Sequence, residues 1–193
     1  MSPIRNPEAI ETLEGHIENY DLVLVPGFKN SSAEHWQTMW EEKTPLFSRI
    51  SMSRWDIRDI HNWIDAINRR LTECEKPVIL IGHSLGALAS ACVLAENPPN
   101  VAGAMFVAPA EPMRFEAEEI IPRSRLDRPT VLVASHDDQL ISLDRTKQLA
   151  AYWGSEWVDL GPAGHINAES GFGRWPYGLT ILVDLVERIE GNI

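Results

Sequence analysis

A chain of 193 residues suits one domain, here 1–193, with length for a substantial core and little for a second. Its 17 basic against 28 acidic residues leave a net charge of −11, which argues against nucleic acid or an anionic membrane as partner, because no polybasic patch is available to neutralise phosphates. Cys74 and Cys92 suggest no disulfide framework, and no Cys/His spacing resembles a zinc site. Residues 1–20 lack the apolar stretch of a signal peptide and no apolar run is long enough to span a bilayer, so the expected location is cytoplasmic.

In chain order, Asp21-Leu22-Val23-Leu24-Val25 reads as a short buried strand closed by Pro26-Gly27. Residues 32–43 read as a helix capped by Ser31 or Ser32, and residues 47–52 as a strand candidate. From Ile57 onward, Ile60, Ile64, Ile67 and Leu71 follow at spacings of three and four, predicting a helix with Asp59, Asp65 and Arg69 on its polar face. Pro77 opens an apolar run to Ile81. Next comes Gly82-His83-Ser84-Leu85-Gly86, followed by a small-residue stretch, residues 87–95, read as an amphipathic helix.

Val101 to Val107 and Thr130 to Ala134 are further apolar runs, the second ending at His136-Asp137-Asp138. A helix over residues 143–153 should turn Leu143, Leu149, Ala150 and Trp153 inward; residues 156–160 form a last strand. Pro176 starts a closing helix whose buried stripe is Leu179, Leu182, Val183, Val186 and Ile189. Apolar strands alternating with helices imply a three-layer α/β fold, a mainly parallel sheet of about five to six strands covered on both faces. Residues 111–128, charged and proline-containing, interrupt the alternation as an excursion too short for a large lid.

A serine between glycines at a strand-to-helix turn is a device for exposing a nucleophile. The central residue is forced toward positive φ, and Gly82 and Gly86 relieve the crowding across the turn. The plainer alternative is a serine that merely caps a helix. Partners downstream favour the first: Asp137 or Asp138 follows one strand and His165 follows another, the chain order of serine, acid and histidine that this architecture uses. His165 would be the base that takes the Ser84 proton, and a carboxylate would fix its tautomer.

Consecutive residues leaving a strand project oppositely, so one of Asp137 and Asp138 faces the histidine; Asp138 is preferred, with Asp159 and Glu169 as further structurally allowed acids. His16, His35, His61 and His136 read as surface or helix-cap residues, and His83 as a packing group. Two backbone N–H groups are expected to face a developing oxyanion: that of Leu85, after the nucleophile, and that of Phe28, where Pro26-Gly27-Phe28 follows the first strand.

These residues resemble the α/β-hydrolase superfamily, and more narrowly the small serine hydrolases that include retinoblastoma-binding protein nine and its bacterial relatives. The resemblance is carried by Val25-Pro26-Gly27-Phe28, Glu34-His35-Trp36, Gly82 to Gly86, Ser135 to Asp138, and Gly164-His165-Ile166-Asn167-Ala168-Glu169-Ser170-Gly171 continuing through Trp175-Pro176 to Gly178. It implies a compact hydrolase without a large lid domain and a triad on Ser84, Asp138 and His165. Pro26 departs from the histidine that many superfamily members carry before the glycine.

The expected activity is hydrolysis of small esters or related acyl compounds through an acyl-enzyme, with no metal or other cofactor; HExxH, GxxxxGK[ST] and GxGxxG are all absent from the sequence. Trp36, Trp175, Met113 and Phe115 are candidate walls of a shallow pocket, although large rings more often serve the core. The expected partner is a small acyl substrate, neither nucleic acid nor membrane. Two alternatives stand: an amidase or peptidase using the same triad, and a protein-binding module with a vestigial site and an acidic docking surface.

Overall fold

The computed structural model describes residues 11, 13–15 and 19–191, so most of the polar N-terminal stretch, including His16, and the last two residues lie outside it. Six strands form one sheet: β1 (Asp21–Val25), β2 (Phe47–Arg49), β3 (Val78–His83), β4 (Val101–Val107), β5 (Thr130–Ala134) and β6 (Glu156–Asp159), in the order β2-β1-β3-β4-β5-β6. Every pairing is parallel. Parallel neighbours need crossovers, and five helices whose bounds lie wholly among the described residues supply cover: α1 (Trp36–Lys43), α2 (Ile60–Glu73), α3 (Leu85–Ala95), α4 (Leu143–Trp153) and α5 (Pro176–Gly191).

Strand side chains alternate between two cores. Val23, Val25, Leu80, Phe106 and Leu132 pack with α2, α3 and α4; Leu22, Leu24, Ile79, Ile81, Met105 and Val133 pack with α1 and α5. The result is the three-layer α/β-hydrolase fold, with no large extra domain among the described residues. None of the described helices is long and apolar enough to cross a membrane.

Several boundaries differ from the sequence expectation for identifiable reasons. α1 starts at Trp36 because His35, neither Ser31 nor Ser32, is its cap, its Nδ1 accepting the Gln37 N–H. α2 starts at Ile60 because the Asp59 carboxylate accepts the His61 N–H, which leaves Ile57 exposed before the helix. β2 is an edge strand paired only with β1 and ends at Arg49. α3 is not amphipathic: Leu85 to Ala91 are all buried, since small side chains let it pack between the sheet and α2. The excursion at residues 111–128 opens with a 3₁₀ turn, Pro112–Phe115, and anchors Ala117, Ile121 and Leu126 in the core.

Candidate active site

β1 and β3 are adjacent, yet the chain leaves them toward opposite edges of the sheet, so the loops after them flank the crevice where parallel sheets place their sites. Between the end of β3 and the start of α3 stands Ser84, with φ 56° and ψ −120°. Such a backbone is strained for a residue with a side chain, by about 1–3 kcal/mol. The hydroxyl makes no capping bond to α3, so helix capping does not explain the serine. A Cβ added to Gly86 would lie 2.0 Å from the Val25 carbonyl oxygen, and one on Gly82 2.7 Å from the Ala87 Cα. The glycines therefore let β1, β3 and α3 meet around Ser84.

His165 sits in the loop after β6. Its Nδ1 lies 2.8 Å from Asp138 Oδ2, and the aspartate side chain is 2% exposed. The other Asp138 oxygen accepts the Leu140 N–H at 2.8 Å. Asp137 faces away from the imidazole: its Oδ1 accepts from the Gly164 N–H at 2.7 Å and the Ser135 hydroxyl at 2.9 Å. Those two donors, the Gly164 N–H foremost, hold the Asp137 carboxyl below the usual carboxylate range. Asp159 is taken by His136 and the Gly161 N–H.

The ring of His165 packs on His83, centroid to centroid 4.9 Å, and His83 packs on His35 at 4.7 Å. His83 Nε2 donates to the His165 carbonyl at 2.9 Å, so it supports the loop rather than Ser84. Burial, with the neighbouring His165 and His35, pushes the His83 pKa well below its usual value. Burial, then Arg49 and His165, lowers His35 to about 4. Both rings are thus neutral at pH 7.

Ser84, His165, Phe28 and Phe115 line one open cleft of about 380 Å³. Among the described residues the Ser84 hydroxyl makes no hydrogen bond to the imidazole, a contact that free hydrolases often close only around substrate. Phe28 belongs to the loop after β1, Leu85 opens α3, and neither N–H donates to a backbone carbonyl across these loops. Met113 projects into solvent, 73% exposed, outside the cleft lining. Trp36 and Trp175 are buried in the α1/α5 core and do not reach it. Their rings meet at 5.1 Å, and the Trp36 indole donates to the Ile166 carbonyl at 3.0 Å. Three lining residues that the sequence reading did not single out for the site are His35, Arg58 and Arg114; a buried capping histidine has no sequence signature, and an arginine at a rim looks like any surface arginine.

A family model described as serine hydrolase matches residues 22–184. Among solved structures, a putative YdeN-like hydrolase from Pectobacterium atrosepticum is 47% identical, with a TM-score of 0.92 over 94% of this chain and 98% of that one. The ydeN gene product from B. subtilis is 19% identical, TM-score 0.71, over 88% and 99% of the two chains. An alpha-beta serine hydrolase homologue from Coxiella burnetii is 18% identical, TM-score 0.62, over 88% and 84%; these two speak for the fold alone. No curated protein matches the chain. With a strained serine at the crevice and a family match running from β1 into α5, the chain belongs to the serine hydrolases of α/β-hydrolase fold.

Proposed function

We propose that this hydrolase cleaves small, short-chain esters through an acyl-enzyme on Ser84. The observation that carries the reading is the Asp138–His165 pair at 2.8 Å, its imidazole lining the same cleft as the strained Ser84. Ser84 Oγ attacks the acyl carbon while its proton passes to His165 Nε2. The tetrahedral oxyanion takes hydrogen bonds from the N–H groups of Phe28 and Leu85, a single such donor being worth roughly 3–4 kcal/mol in a well-studied protease. His165 returns the proton to the departing alcohol, then activates water to release the acid, and Asp138 holds the ring with its hydrogen on Nδ1 throughout.

Small substrates fit the cleft because its apolar wall is short, with Phe28 and Phe115 edge to face at 6.1 Å. The decisive experiment is labelling with a fluorophosphonate probe beside hydrolysis of a para-nitrophenyl ester series. The expected result is an adduct on the wild type that Ser84→Ala abolishes, with kcat/KM greatest for short acyl chains. A binding module with a vestigial site would give no Ser84-dependent adduct, and a maximum at long chains would overturn the substrate size.

A further inference from the structure

The charge around the Ser84 cleft runs against that of the molecule. In a chain of net charge −11, the cleft is lined by two guanidinium groups, Arg58 and Arg114, and by one carboxylate, Glu169. Elsewhere several guanidiniums find acids, Arg49 with Glu41, Arg145 with Glu118 and Arg188 with Glu156, while Arg69 and Arg128 donate to the carbonyls of Ser51 and Val101. Among the described residues, the guanidinium groups of Arg58 and Arg114 have neither a carboxylate nor a hydrogen-bond partner.

What holds Arg58 is an aromatic face. Its guanidinium carbon lies 5.1 Å from the ring centroid of Phe28, and the Lys29 ammonium lies 5.7 Å from the same centroid. A guanidinium resting on a ring face spends none of its N–H donors, so its edge remains able to take a carboxylate in a two-pronged fork. The Phe28 ring in turn meets Phe115, next in sequence to Arg114. The wall beside the proposed oxyanion donor therefore carries cationic groups, of which the Arg58 and Arg114 guanidiniums have no ion-pair partner among the described residues.

A second observation comes from inside the cleft. His35 Nδ1 accepts the Gln37 N–H, which places the ring hydrogen on Nε2. That Nε2 is buried without a partner, and the residue, only 5% exposed, lines the same cleft. A buried donor left unsatisfied calls for an acceptor brought from outside.

We infer that the substrate of this site is an ester bearing its own carboxylate, which Arg58 and Arg114 take at the rim while His35 Nε2–H donates to an oxygen of the same molecule. The inference rests on the hydrolase reading above and adds the substrate's charge. A strongly negative protein repels anions on average, so a local cationic rim decides whether an anionic ester reaches Ser84 at all.

The test compares esters that differ only in charge. One pair is mono-para-nitrophenyl adipate and its methyl ester, with the charge on the acyl side; the other is para-acetoxybenzoate and its methyl ester, with the charge on the alcohol side. The wild type should favour the charged member of at least one pair by about tenfold in kcat/KM at low salt. That ratio should shrink at about 0.5 M salt, where screening acts within a few ångströms, and collapse toward one in the Arg58→Gln/Arg114→Gln double variant. Equal rates within both pairs overturn the inference and leave the hydrolase reading standing. If no ester is cleaved, the short-chain ester reading falls and calorimetric binding of the same pairs to Ser84→Ala decides the charge preference by itself: tighter binding of a charged member sustains a carboxylate-bearing ligand for this site, and equal binding overturns it.

Discussion

Two neighbouring carboxylates at the end of β5 do different work, and the difference is one of direction. Asp138 meets the imidazole of His165, whereas Asp137 receives the Gly164 N–H and the Ser135 hydroxyl and so ties the strand end to the loop that carries the histidine. In the proposed mechanism Asp138→Asn leaves the imidazole in the wrong tautomer and should lower kcat for para-nitrophenyl acetate by about 10³ to 10⁴-fold, the scale of the corresponding change in a serine protease. Asp137→Ala should lower the urea midpoint and cost far less kcat, because it removes a loop tie and no group that touches the base. Steady-state kinetics and unfolding on both variants sort the roles, and a larger loss of kcat at Asp137 would reverse them. That one of these two adjacent residues would face the histidine was legible in the sequence from alternation along an emerging strand, but alternation alone does not say which one.

At the scale of elements, α1 shows how a cap can carry a pH response. His35 supplies the capping acceptor from a buried position, and its pKa is lowered to about 4 mainly by that burial. Between pH 6.5 and 4 the unfolded chain binds a proton that the folded one refuses, so stability falls as pH drops through this window; at pH 5 the His35 contribution to the loss is roughly 2 kcal/mol. His35→Asn keeps an acceptor at the cap and removes the proton site. Its urea midpoint should therefore fall less between pH 7.5 and pH 5 than that of the wild type, though not stay flat, because His83 is buried and shifted in the same direction. An unchanged pH response would remove His35 from the account. The elements themselves were largely readable, since the apolar runs at residues 78–81 and 130–134 are short, rich in β-branched residues and bounded by Pro77 and by His136-Asp137, as buried strands are. The start of α1 was not readable, because the nearby serines suggested the cap while Ser31 spends its hydroxyl on Gln37 Oε1. Trp36 and Trp175 near the active-site loops could face a pocket or a core; only packing, which periodicity does not encode, assigns them to the core.

Across the whole molecule, the proposed triad draws on three separate loops, and one helical layer holds the histidine in place. From α1, Trp36 donates its indole N–H to the Ile166 carbonyl and its backbone N–H to Phe172, and Trp40 donates its indole N–H to the Arg174 carbonyl, so the chain after His165 is fastened to that helix. The opposite layer contains a comparable anchor: the fully buried Trp153 of α4 donates to the Pro122 carbonyl at 2.9 Å, a bond that does not involve the chain after His165. Trp36→Phe strips the buried Ile166 carbonyl of its donor and Trp153→Phe the half-buried Pro122 carbonyl, each at a cost to unfolding of about 1–3 kcal/mol. If layer position matters, the two variants should be similarly destabilised in urea yet differ in chemistry. Trp36→Phe should slow fluorophosphonate acylation severalfold or more, since small displacements of a base cost rate steeply, whereas Trp153→Phe should acylate at the wild-type rate. Equal slowing in both would mean that acylation follows global stability, and the α1 face would lose its special relation to His165.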